Sequence, residues 1–192
     1  MEVLRSMEDM PDDSLVQEAK KDNPEAFNEL VRRYQKRIYS TIFQFTRNHH
    51  DADDLAQETF MNAFKSLIRF RQQASFYTWL YRIAVNITMN FLRKKQQEKG
   101  REKFVEEQLP LGEAEFSISI PENHSLKREL QEKLKEAVES LPLAYKVTFI
   151  LIAFQGMTHA QAAQVLRCSE KTVSWRMHKA RKILQNKLMP YF

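Results

Sequence analysis

The chain has 192 residues, with 30 lysines and arginines against 25 acidic residues for a net charge of +5, and only 3 glycines and 6 prolines. That length suits one large domain or two small ones, and the absence of Asn-Gly and Asp-Gly pairs argues against a hairpin-built fold. One cysteine, Cys168, excludes an internal disulfide framework and fits a reducing compartment. The first 13 residues are acidic and lack the apolar core of a secretory signal, and no apolar run approaches the ~20 residues that a membrane span requires.

Helical spacing governs almost the whole sequence. Asp12 or Asp13 can cap a first short helix that ends near Lys20. Asn23 followed by Pro24 is a cap with proline at the first helical position, and Phe27, Leu30, Val31, Tyr34, Ile38, Ile42 and Phe45 then recur at three- and four-residue steps to about Arg47. Residues 48–50 break the pattern. Asp51 caps a third helix to about Ile68, with Asp53 and Asp54 at its positive end. A loop over 69–74 leads into a fourth helix from about Ser75 to Lys95. Its core stripe is Leu80, Ala84, Ile87 and Phe91, flanked by a second stripe of Trp79, Ile83, Asn86 and Asn90.

Residues 96–124 change character. Glu98, Glu102, Glu106, Glu107, Glu113, Glu115 and Glu122 stand against Lys99, Arg101 and Lys103, with Pro110, Gly112 and Pro121 and no sustained period. This reads as an acidic, mostly extended linker between domains at 1–95 and 125–192. Beyond it, Leu126, Leu130, Leu134, Ala137 and Leu141 form one helical stripe that Pro142 ends. The run 147–154 is apolar on most sides, which places that helix centrally, and Gly156 closes it. Thr158 and Gln161 read as a capping box. A turn at 167–169 then leads to a basic helix capped by Ser169, with Val173, Met177, Ala180 and Leu184 as its buried stripe. Short helix, tight turn and longer basic helix is the helix-turn-helix pattern.

Charge is partitioned as strongly as hydropathy. Twelve acidic residues lie between Glu8 and Glu58, and none between Thr59 and Gln97. That second window holds Lys65, Arg69, Arg71, Arg82, Arg93, Lys94 and Lys95 among eight aromatics: Phe60, Phe64, Phe70, Phe76, Tyr77, Trp79, Tyr81 and Phe91. Cations follow a phosphate backbone while aromatic faces stack on unpaired bases, the physics of single-strand binding. Trp79 and Tyr81 are also compatible with core positions, Asn86 with a solvated face, and the cations at 93–95 with an ordinary helix C-terminus. A second acid-free stretch, 171–192, carries Lys171, Arg176, Lys179, Arg181, Lys182 and Lys187. Lys171, Ser174, Trp175, His178, Lys179 and Lys182 point outward from its helix, and Trp175 could instead cover a neighbouring helix. The acidic front is expected to meet protein rather than nucleic acid.

Catalytic patterns are missing. The five histidines are scattered, and no glycine-rich phosphate loop, Cys-x-x-Cys or His-Glu-x-x-His occurs. Asp53, Asp54 and Glu58 lack an evident complementary histidine, so neither metal nor cofactor is expected, and Cys168 reads as a small buried thiol.

Three stretches together resemble the bacterial RNA polymerase sigma factors of the extracytoplasmic-function branch, with the envelope-stress type most similar. Residues 51–60, DADDLAQETF, are similar to the acidic signature of the family; Phe70-Arg71 with 75–86, SFYTWLYRIAVN, resembles its promoter-melting region; 156–166 with 171–181 resembles its helix-turn-helix. The match covers about 12–95 and 125–188. It implies two helical domains that grip core RNA polymerase, through its largest and second-largest subunits, and read the −10 and −35 promoter elements. Asp54, Gln57 and Glu58 are implied to dock on the largest subunit's clamp helices. Lys65, Ser66, Phe70, Trp79, Ile83 and Asn86 are implied at the −10 strand, with Phe70, Ile83 and Asn86 around a flipped base. Lys171, Ser174, Trp175, Arg176, His178 and Lys179 are implied at the −35 duplex. The linker would thread toward the RNA exit path, and an anti-sigma factor is implied as a regulator.

The likeness has departures. Ser169-Glu-Lys-Thr-Val173 stands where relatives often carry Pro-x-Gly-Thr-Val, and Trp175 where they carry a small or polar residue. With the chain ending at Phe192, no further regulatory domain is expected. The reading is therefore an all-helical, cytoplasmic initiation factor that is not an enzyme. A stand-alone helix-turn-helix regulator needs neither the aromatic window nor the acidic helix, and an antagonist mimic would not need two basic faces.

Overall fold

A computed structural model describes the backbone over residues 7–101 and 124–189, with side chains over 7–98 and 132–189. The described residues are helical, with no strand among them, and the chain divides into two units at residues 111 and 112. Residues 102–123, most of the expected linker, lie outside the description.

The first unit holds α1 (Asp12–Lys20), α2 (Pro24–Thr46), α3 (His49–Ser66), a 3-10 turn (Leu67–Arg69) and α4 (Phe76–Arg101). Leu15 and Val16 of α1, Leu30, Ile38 and Ile42 of α2, and Phe76, Leu80 and Tyr81 of α4 are all buried. Each large apolar side chain so placed stabilises the fold by about 1.5–3 kcal/mol relative to exposure. Asn23 caps α2 as expected, its Oδ1 accepting the Glu25 amide at 3.2 Å. The chain leaves α2 through Arg47 in the left-handed region, φ 53°. α4 runs on to Arg101, six residues beyond its expected end at Lys95, so the first part of the expected linker is helical.

Two expected caps are wrong. α1 starts after Pro11 with no side-chain cap, because Asp12 is used elsewhere: its Oδ1 accepts from Arg33 Nη1 at 2.8 Å and its Oδ2 from the Tyr34 hydroxyl. α3 starts at His49, with Asn48 Oδ1 accepting the Asp51 amide at 2.9 Å. Asp51 therefore sits inside the first turn. Arg33 Nε also donates to the buried carboxylate of Glu29 at 2.8 Å, and Arg32 Nε at 2.7 Å. The Arg32 hydrogen bond, with help from Arg33 and against the cost of burial, holds the Glu29 carboxyl below its ordinary range. Arg33 thus bridges two carboxylates, one on each helix, and fastens α1 to α2.

The second unit holds α5 (His124–Glu139), α6 (Leu143–Phe149), a π-helical turn (Ile150–Phe154), α7 (His159–Leu166) and α8 (Glu170–Leu188). Ala137, Val138 and Leu141 pack with Ala180 and Leu184 as one core cluster. Ile150 and Leu151 are buried, as the apolar run 147–154 implied. Gly156 takes φ +68°, and the Met157 amide donates to the Leu151 carbonyl at 3.1 Å, closing the helix. Thr158 and Gln161 form both halves of the capping box. Arg167 turns in the left-handed region and Ser169 Oγ accepts the Thr172 amide at 3.1 Å, so the helix-turn-helix is built by local rules.

Candidate nucleic-acid and polymerase interface

On α3, Ala52, Leu55, Ala56 and Thr59 are buried, which turns Asp54, Gln57 and Glu58 outward. All three expected docking residues are exposed on one helix. His50 Nδ1 lies 3.6 Å from Asp54 Oδ2; an i,i+4 histidine partner thus exists where none was evident in the sequence. Among the described residues no cluster of three histidine, cysteine or carboxylate side chains could hold a metal.

Beside this acidic face lies an open groove of about 800 Å³ between α2 and α3, lined by Phe27, Val31, Tyr39, Phe60, Met61 and Phe64 and edged by Asp53 and Gln57. Met61 and Phe64 are 50% and 58% exposed, and Phe64 meets Phe27 edge-on at 5.0 Å. Sequence reasoning placed Phe60 and Phe64 with the strand-binding aromatics; the structure turns them toward α2. Their helical phase with Ala52, Ala56 and Ala63 was the available signal.

The candidate −10 surface is assembled at the loop between the 3-10 turn and α4. Lys65 is exposed, while the Ser66 hydroxyl donates to the Asn62 carbonyl at 2.5 Å. Phe70 is 5% exposed; its ring stacks on Trp79 at 4.6 Å and 27° and meets the edge of Phe76 at 6.3 Å. Trp79 and Ile83 are half-buried and Asn86 is exposed. At i, i+4 and i+7 they share one face of α4. Phe70, Trp79, Ile83 and Asn86 therefore form one continuous surface, with the phenylalanine ring at its base. Tyr81 is different. It is fully buried, so burial raises the pKa of its hydroxyl, and it lies 3.4 Å from the Thr41 hydroxyl. Of the two aromatics with open roles, Tyr81 is core and Trp79 belongs to the surface.

In the second unit α8 buries Val173, Met177, Ala180 and Leu184. Lys171, Ser174, Trp175, His178 and Lys179 are exposed on the other side. Arg176 is half-buried, with Nη1 4.0 Å from the half-buried Cys168 Sγ, so its guanidinium reaches back toward the turn. Trp175 meets Tyr145 edge-on at 5.7 Å and carries Lys179 Nζ 5.8 Å from its ring centre.

Residues 30–98 match the sigma-70 region 2 family and residues 131–184 match sigma-70 region 4. Over 186 residues the chain is 34% identical to the ECF RNA polymerase sigma-E factor of Escherichia coli, covering 95% of this chain and 97% of the relative. It is 31% identical to the protein of that name from Haemophilus influenzae, covering 95% and 98%. The solved structure of CnrH in complex with the cytosolic domain of CnrY is 25% identical with a TM-score of 0.68, covering 93% of this chain and 97% of that one.

The chain belongs to the sigma-70 family, in its extracytoplasmic-function branch.

Within this sigma factor the region 2 match spans α3, the loop and α4, which carry every candidate docking and −10 residue. The region 4 match contains the helix-turn-helix with every candidate −35 residue. α1 lies outside both matches. No described helix is long and apolar enough to cross a membrane.

Proposed function

We propose that this sigma factor binds core RNA polymerase, directs it to promoters and opens the −10 strand, acting in the cytoplasm and lending recognition rather than catalysing a reaction itself. The observation that carries this reading is the juxtaposition in one unit of an exposed acidic helix face with an aromatic and amide surface. Asp54, Gln57 and Glu58 meet the clamp helices of the largest subunit. Lys65 holds a phosphate of the −10 strand, and Ser66 contacts that strand from the end of α3. Phe70 and Trp79 provide the apolar base and wall of a pocket for an unstacked nucleotide, Ile83 packs on its face, and Asn86 bonds its edge. An amide donor and acceptor beside an aromatic wall is chemistry suited to a flipped base.

In this reading residues 1–95 dock polymerase and melt the −10 element, 96–124 join the two domains as a linker toward the RNA exit path, and 125–192 read the −35 duplex. Ser174 and Trp175 address base edges. Lys171, Arg176, His178 and Lys179 hold the backbone, since base contacts specify and phosphate contacts position. An anti-sigma factor regulates the chain by covering these surfaces; the resemblance to CnrH, solved in complex with the cytosolic domain of CnrY, supports a protein partner.

Run-off transcription with purified core polymerase on a promoter library tests the proposal. Transcripts that depend on this protein and share −35 and −10 sequences are the expected result. Tight promoter binding without polymerase, and no transcript with it, would favour a stand-alone regulator.

A further inference from the structure

α1 reaches the loop that carries Phe70 from 50 or more residues away, at three points. Lys20 Nζ donates to the Phe70 carbonyl at 2.5 Å and lies 5.7 Å from the centre of the same ring. Gln17 Nε2 donates to Gln72 Oε1 at 2.8 Å, and Gln72 Nε2 donates to Asp13 Oδ1 at 3.5 Å. Gln72 is itself held at φ 53°, in the left-handed region that a side chain with a Cβ adopts only at a cost. Such a conformation persists where surrounding contacts over-determine it, and here those contacts come from Gln17 and Asp13. α1 is a firm base for them: Leu15 and Val16 are fully buried, and Asp12 is clasped by Arg33 and Tyr34.

We infer that α1 is a latch that sets the geometry of the −10 pocket, with Lys20 as the positioning residue for Phe70. Trp79 fixes the Phe70 ring from one side, and Lys20 fixes its backbone from the other. The ammonium also neutralises the outward dipole of that carbonyl next to a surface meant for an anionic strand. Release of the latch lets Gln72 relax to negative φ, and the chain from 70 to 75 then moves relative to Asn86 on α4. The pocket loses its shape while α3 and its docking face stay in place. The inference rests on the reading of Phe70 and Asn86 as the −10 pocket.

The test uses holoenzyme reconstituted with full-length chains carrying Lys20→Met, Lys20→Arg, Gln72→Gly or Asn86→Ala. The probe is a single-stranded nontemplate oligonucleotide covering the selected −10 element, in versions with the preferred and a substituted base at the flipped position. Lys20→Met is expected to lower the affinity ratio between the two oligonucleotides by about tenfold while core affinity stays unchanged, the scale of one hydrogen bond lost to the discriminating base. Lys20→Arg, which keeps a cationic donor, is expected to restore most of the ratio. Gln72→Gly removes the side-chain contacts with Gln17 and Asp13 and lets residue 72 populate both signs of φ with equal ease. The loop then loses its single geometry and the ratio is expected to fall in the same direction, a second reading if Lys20→Met folds poorly. A general loss of fold would reduce the amount of active holoenzyme and leave the ratio intact. If Asn86→Ala lowers the ratio while Lys20→Met and Gln72→Gly both preserve it, the latch is overturned and the pocket stands. An unchanged ratio in Asn86→Ala overturns the pocket itself, and the latch with it.

Discussion

Lys95, near the end of the acid-free window, places its ammonium 2.7 Å from the carboxylate of Asp51 at the start of α3. Forty-four residues of sequence separate the two, and the pair ties the C-terminal part of α4 to the first turn of α3. A cation counted with the strand-binding surface is thereby engaged in holding the unit together, and an aspartate counted as a cap is its partner.

Lys95→Gln is therefore expected to act on stability. The Lys95 side chain is 37% exposed, so solvent screening limits the loss to about 0.5–1 kcal/mol. A double-mutant cycle with Asp51→Asn in thermal melts should return most of that as coupling. A drop in the salt slope of DNA binding, with stability unchanged, would return Lys95 to the phosphate-binding set.

Asp54→Lys or Glu58→Lys is expected to weaken core polymerase binding by about tenfold, largely through slower association. High salt should weaken the wild-type complex through screening of the same charges. Helicity should not change, because both side chains point away from the buried Leu55 and Thr59 face. A titration with fluorescent core polymerase measures this, and unchanged affinity would leave the face merely solvated.

Glu29 gives a pH dependence with a definite sign. Its carboxyl, held by Arg32 and Arg33, titrates below the ordinary value of 4.5. A depressed folded-state pKa contributes stability above the unfolded value, and that contribution is lost as pH falls through the folded value. The first unit should therefore lose stability from about pH 4.5 downward. Glu29→Gln should cost roughly 1–3 kcal/mol at neutral pH, because Arg32 and Arg33 lose the buried carboxylate they share and keep only Glu8 and Asp12, and should flatten the acid limb. Circular-dichroism melts from pH 3 to 7 check both.

What the sequence disclosed and what it concealed divide along the distance of the interaction. Asn23 with Pro24, Thr158 with Gln161, and Ser169 are resolved within a few residues, and local rules place them correctly. The stripe Val173, Met177, Ala180 and Leu184 follows the 3.6-residue period and is buried throughout. Asp12 and Asp51 obey those same rules on paper, yet each is drawn away by a cation 21 or 44 residues distant. The aromatics of the acid-free window show the same limit. Composition assigns them to one surface, but tertiary packing sends Tyr81 to the core, Phe64 to the α2 groove and Phe70 beneath Trp79.

Asn86→Ala is expected to leave core binding and melting temperature intact, since its side chain is exposed, and to slow open-complex formation by about tenfold, the effect of removing one hydrogen bond made to the unstacked base. Permanganate footprinting of the −10 region reads the outcome. Normal opening would remove Asn86 from the pocket.

On α8 the contact between Trp175, Tyr145 and Lys179 separates two kinds of recognition. Half of the indole is exposed, and its remaining surface rests edge-on against Tyr145 with the Lys179 ammonium near its face. The indole is thus pre-oriented by packing, and a rigid aromatic at a base edge discriminates by shape and by touching a thymine methyl. Lys179→Ala should weaken holoenzyme binding evenly across −35 variants and reduce the salt slope by about one unit, as removal of a phosphate-binding cation does. Ser174→Ala or Trp175→Ala should instead change which −35 bases are preferred, at ~1–3 kcal/mol for each base-specific interaction removed. Tyr145→Ala tests the pre-orientation: it removes the edge-on partner while leaving the sequence of α8 unchanged. It should blur the −35 preference in the direction of Trp175→Ala, with a loss of stability from the core cluster that Tyr145 also packs on. If Trp175→Ala lowers the melting temperature yet keeps the wild-type −35 preference, the indole serves packing between Tyr145 and α8, and Ser174 alone is left to address the bases.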